Sequence, residues 1–69
     1  STAAMLADLG FAVTEAGSAE EALALMRGGA AVDLLVTDHL MADMSGARLA
    51  REAQALRPAL PVLVVSGYA

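Results

Sequence analysis

Cysteine is absent from this 69-residue chain, which excludes disulfides and thiolate metal sites and is compatible with a reducing cytoplasm. Basic residues are scarce: four stand against eight acids, for a net charge of −4. That balance argues against a binder of the phosphate backbone, so nucleic acid is not expected as a direct partner. No apolar run approaches the roughly 20 residues of a membrane span, and no basic leader precedes an apolar core. Neither a membrane anchor nor a signal peptide is expected, and the expected location is the cytoplasm. Aromatic residues make up 3% of the chain, yet 58% is hydrophobic, which suits a buried α/β sheet and excludes disorder. The length allows one small domain, near the lower limit at which a single core stabilises itself. The chain opens at Ser1 in what reads as the middle of a helix and stops at Ala69 just after a strand. It is therefore expected to be a piece of something longer.

What is present is a pair of apolar strands, each running into one polar residue. Asp38 follows Leu34-Leu35-Val36-Thr37, and Ser66 follows Val62-Leu63-Val64-Val65. A helical segment lies between them, and strand, helix, strand at this spacing reads as a right-handed βαβ unit with parallel neighbouring strands. In open α/β sheets chemistry collects at the carboxyl ends of the strands. Adjacent strands lie roughly 4.8 Å apart, so Asp38 and Ser66 are expected side by side at that edge.

The remaining elements follow from caps and periodicity. Residues 1–9 read as the end of an amphipathic helix, with Met5, Leu6 and Leu9 on one face and Gly10 as its stop. Residues 11–15 alternate as a short strand at or near an edge. Ser18 with Glu21 forms a capping box that opens a helix burying Ala22, Leu23 and Met26, and Gly28-Gly29 ends it. Residues 32–37 are nearly continuous in β-branched residues and leucine, the pattern of a parallel strand covered by helices on both faces. Ser45 can cap a third helix that carries Leu49, Ala53 and Leu56 inward and Arg48, Arg51 and Glu52 outward. Arg57-Pro58 ends that helix, and Pro61 leads into the last strand over residues 61–65.

A carboxylate directly after a buried strand fits a nucleophile, a metal ligand or the cap of the loop that follows. Ser45 already serves the next helix, which leaves Asp38 with no helix terminus within a turn, and Ser66 gives it a polar partner. Ser66 also fits an ST-turn, and Gly67 behind it would let a ligand approach the backbone. A serine nucleophile is disfavoured because no histidine is placed to activate it. His39 adjoins Asp38, but successive strand residues point to opposite faces, so it reads as a loop-surface residue. Asp33 and Asp43 read as solvated or turn residues, and Met41 and Met44 as anchors of the loop into the core. Neither a GxGxxG nor a Walker pattern is present.

The segment VDLLVTDHLMADMSG, residues 32–46, closely resembles the phosphoacceptor segment of two-component receiver domains. PVLVVSGYA, residues 61–69, looks like their fourth strand with its switch hydroxyl. The two motifs are most similar to those of receivers attached to hybrid sensor histidine kinases, or of regulators with a helix-turn-helix output. One departure is Ala42, where the family usually has proline, a change that loosens the loop without removing a reactive group. The resemblance implies a partial flavodoxin-like α/β fold, of strand order 2-1-3-4-5 when complete, with parallel strands, flanking helices and the first and fifth strands absent. A complete receiver would be roughly 120 residues, so residues 1–69 would form a partial receiver domain.

By the same resemblance, Asp38 would accept a phosphoryl group from a phosphohistidine on a histidine kinase or phosphotransfer domain. It would bind Mg²⁺ together with the main-chain carbonyl of Leu40. Ser66 would hydrogen-bond the arriving phosphoryl group, Gly67 would leave room for it, and Leu40 and Tyr68 would modulate its hydrolysis. The family's acidic pair and lysine belong to segments outside these residues, so Mg²⁺ binding is expected to be weak or absent. An aspartyl-phosphate phosphatase is a second reading, opposed by Leu40 at the position where that class places a second Asp. A non-phosphorylated α/β interaction module is a third. With strands missing, the isolated chain is expected to be molten, aggregating or oligomeric.

Overall fold

Local signals at the helix ends set the architecture. The computed structural model describes residues 2–38 and 43–65. In chain order these form α1 (Thr2–Asp8), α2 (Ala19–Arg27), β1 (Leu35–Asp38), α3 (Gly46–Leu56) and β2 (Val62–Val65). Both α1 and α2 stop on a glycine with positive φ, +97° at Gly10 and +92° at Gly29. That conformation turns the Phe11 N–H onto the Leu6 carbonyl and the Ala30 N–H onto the Leu25 carbonyl, each at 3.1 Å. Carbonyls that the helix leaves unpaired are thereby satisfied, and any side chain at either glycine would be strained. α3 stops for a different reason. Pro58 pushes the preceding residue out of the helical region, and Arg57 sits at φ −140°, ψ 89°.

The strands form a two-stranded parallel sheet running in register from Leu35 opposite Val62 to Asp38 opposite Val65. Leu35 and Thr37 share a face with Val62 and Val64, and α3 packs on the sheet while α2 packs on α3. The core lies chiefly between the two helices: Ala19, Leu23 and Met26 meet Leu49 and Ala53, closed by Met44 and Leu60. Leu23 is wholly buried, worth about 1.5–3 kcal/mol for such a side chain. Two side chains bolt the assembly at its far end. The Arg57 guanidinium donates to the Met26 carbonyl at 3.0 Å, and the Gln54 amide donates to the Leu60 carbonyl at 3.1 Å.

The α/β class, the parallel βαβ unit and the caps at Ser18 and Ser45 are as expected. Four features differ. Residues 11–15 form no strand, because no described strand pairs with them and a strand exists only through a partner's hydrogen bonds. β1 begins at Leu35 instead of residue 32, and β2 at Val62 instead of Pro61. The Leu35 N–H donates to the Pro61 carbonyl at 3.1 Å, but proline has no N–H with which to continue the ladder. The sheet is covered by a helix on one face only among the described residues, and Leu63 on the other face is 53% exposed. Finally, Leu56 in the last turn of α3 and Met5 and Leu9 near α1 are exposed, and Ala22 is half-buried. α1 packs against no other described element, so its apolar face has nothing to meet.

Two strands with a free edge each, backed by one helix, leave backbone donors and acceptors open beside apolar side chains. The 69-residue chain alone is therefore expected to self-associate. Sedimentation should show dimers or larger species that dissociate on Leu63→Lys; a monomer with a sharp cooperative melt would contradict this.

Candidate functional site

The carboxyl ends of β1 and β2 form the edge at which Asp38 stands. Its backbone is held by pairing with β2, and the Thr37 hydroxyl, on a buried residue, donates to the Asp38 carbonyl at 3.1 Å. The Asp38 side chain is exposed, on the uncovered face shared with Val36, Leu63 and Val65. Among the described residues none donates to its carboxylate. A fixed backbone carrying an exposed carboxylate is the arrangement an oxygen nucleophile or a metal ligand requires. The register places Val65 opposite Asp38, with pairing from Leu35 and Val62 onward. Ser66 and Gly67, together with His39, Leu40, Met41 and Tyr68, lie outside the described residues.

The structure brings a second carboxylate to this end of the molecule that local pattern reading missed. Asp43 was expected to be a solvated loop residue. Its side chain is exposed, but it accepts from the Ala19 N–H at 3.3 Å and the Glu20 N–H at 3.0 Å, the first two amides of α2. The Ser18 hydroxyl takes the third, the Glu21 N–H, at 3.1 Å. Three donors that an α-helix start leaves unpaired are therefore met by side chains, two of them by a residue more than twenty positions along the chain. The Glu20 N–H is the chief reason the Asp43 carboxyl is held below the ordinary aspartate value of 3.8; desolvation opposes this and the Ala19 N–H adds to it. Aspartate is a common cap, which is the one signal available in sequence; its target could not be read from neighbouring residues.

Asp38 and Asp43 both line an open cleft of about 810 Å³ that runs along the free edge of β1 past Phe11 and Val13. Among the described residues no group of three or more His, Asp or Glu side chains is placed to hold a metal ion. Mg²⁺ asks for near-octahedral oxygen coordination, usually with one or two carboxylates, and Asp38 brings one. The described side chains do not by themselves fit a Mg²⁺ site.

The model of the response regulator receiver domain matches residues 1–69. The chain belongs to that family. Over 61 residues this receiver is 43% identical to the sensor kinase CckA of Brucella abortus (strain 2308), covering 87% of the chain and 6% of that protein. Over 65 residues it is 38% identical to the transcriptional regulatory protein ZraR of Escherichia coli (strain K12), covering 94% of the chain and 14% of that protein. The receiver thus spans a small fraction of the curated relatives it matches. No solved structure matches it at a significant level. Among the described residues no helix of the receiver is long and apolar enough to cross a membrane.

The lowered Asp43 value fixes a pH dependence. A carboxyl whose folded value lies below its unfolded one stabilises the fold at pH values above about 4 and loses that contribution as pH falls through the lowered value. Helical ellipticity in dilute solution should fall along an acid limb that Asp43→Asn flattens. An unchanged acid limb in that variant would contradict the cap.

Proposed function

We propose that this chain is the phosphoacceptor portion of a two-component phosphorelay and that Asp38 is the residue phosphorylated. The observation that carries the reading is the Asp38 carboxylate, exposed and free of described hydrogen-bond donors at the carboxyl end of a paired strand, in a chain of the receiver family. In the transfer a carboxylate oxygen of Asp38 attacks phosphorus in line with the phosphorus–nitrogen bond of a phosphohistidine. The new oxygen–phosphorus bond makes an acyl phosphate, and the electron pair of the broken bond stays on the imidazole. The donor is a histidine kinase or phosphotransfer domain, and the chain itself is an acceptor and not an enzyme.

The acyl phosphate carries about two negative charges where the carboxylate carried one, so the product adds about one to a chain of net −4. When bound, Mg²⁺ would neutralise charge on the phosphoryl oxygens. Asp38 and the main-chain carbonyl of Leu40 are the ligands proposed for it from this chain, and binding by these residues alone would be weak. Ser66 is proposed as the hydroxyl that bonds the phosphoryl group, with Gly67 leaving space beside it. The reading includes a cytoplasmic location and no direct contact with nucleic acid or membrane. Residues 1–69 are proposed to be part of a larger receiver domain.

Incubating the full-length protein with acetyl phosphate and Mg²⁺, followed by peptide mapping, tests the assignment. One phosphoryl group is expected on Asp38, and none in Asp38→Asn. Ser66→Ala should still be labelled but should lose the downstream response. Label that persists in Asp38→Asn would overturn the reading; a folded Ser66→Ala protein that takes no label would replace the switch role with a catalytic one.

A further inference from the structure

The geometry points to Asp43 as the positioning residue of the phosphoacceptor segment, a role that rests on the assignment of Asp38 as phosphoacceptor. Residues 39–42 join two fixed points. At one end, Asp38 is held by the β1–β2 ladder opposite Val65. At the other, successive residues are tied to three different parts of the molecule. The Asp43 carboxylate bridges the Ala19 and Glu20 amides of α2, Met44 is buried in the core, and the Ser45 hydroxyl accepts from the Arg48 N–H of α3 at 3.1 Å. Of these ties, the Asp43 pair joins the segment to the start of α2, which packs on α3.

Five residue steps separate Asp38 from Asp43, so the two backbones are at most about 18 Å apart, and both residues line the same cleft. The two bonds from Asp43 are charge-assisted, since an ionised carboxylate accepts from amides at the positive end of a helix. They also use both carboxylate oxygens, at 3.3 and 3.0 Å. An asparagine there keeps one acceptor oxygen and turns an NH₂ toward the other amide, while an alanine keeps neither bond. Ser18 provides the internal control, because its hydroxyl caps the same helix start by accepting from the Glu21 N–H of α2 itself.

The test is the rate of Asp38 labelling by acetyl phosphate and Mg²⁺ in the full-length protein, with circular dichroism confirming the fold of each variant. Misplacing a reacting group by a fraction of an ångström to 1 Å costs up to about a hundredfold. Accordingly, Asp43→Ala is expected to slow labelling about tenfold and Asp43→Asn about threefold. Ser18→Ala should stay within about twofold of the native rate, although it removes a cap of the same helix. Should Asp43→Ala fail to fold, the threefold slowing of Asp43→Asn against Ser18→Ala carries the test. Native rates in the folded Asp43 variants, or equal slowing by Ser18→Ala, would overturn the positioning role while Asp38→Asn still abolishes labelling. No label in the native protein, or label that survives Asp38→Asn, would overturn the phosphoacceptor reading and this inference with it.

Discussion

A parallel ladder of four residues per strand, from Leu35 with Val62 to Asp38 with Val65, is the constraint on which the rest of the structure depends. It holds the Asp38 backbone in place while its side chain is exposed. The ladder is held from one side: Leu35 and Val62 pack onto the core that α3 shares with α2. Its start is set by chemistry, because Pro61 can accept the Leu35 N–H but cannot donate onward. The short ladder and the exposed second face are two consequences of the same pairing.

The second constraint is the start of α2, where Ser18 and Asp43 between them satisfy three amides. A helix of nine residues has little stability of its own, and caps together with one buried stripe decide whether it forms. Met44 and Leu49 from the neighbouring segment complete that stripe, so part of the capping and part of the burial of α2 come from one stretch of chain. Asp38 on the ladder and Asp43 on the start of α2 thus stand on either side of residues 39–42.

Where structure is decided by neighbours in sequence, it was legible in the residues. Ser18 and Ser45 announced the starts of α2 and α3, Gly10 and Gly29 the ends of α1 and α2, and the Arg48–Glu52 pair at 2.9 Å the exposed face of α3. Where structure depends on distant partners, it was not. Residues 11–15 carry strand-forming residues yet lack a described strand to pair with, and the alternation of Phe11 and Val13 could not reveal that. The same holds for Leu56, placed on the inward face by helical spacing but left exposed in the last turn of α3. Asp43 looked like a solvated charge because its targets, the Ala19 and Glu20 amides, belong to a helix far away in the chain, and the bond from Arg57 to the Met26 carbonyl had no local signal for the same reason. At the candidate site, the place of Asp38 at the end of a strand was legible in the apolar run before it; Ser66, Gly67 and Leu40 lie outside the described residues and stand on the motif alone.

The central claim is that an acyl phosphate forms on Asp38, and trapping that bond tests it most directly. Borohydride reduces an acyl phosphate, but not a free carboxylate, to the alcohol, which would convert a phosphorylated aspartate into homoserine. Full-length protein phosphorylated by its kinase, reduced and sequenced by mass spectrometry should carry homoserine at position 38, and the unphosphorylated protein should carry none. Homoserine at Asp33 or Asp43 instead, or unmodified aspartate at position 38 in protein shown to carry phosphate, would contradict the account.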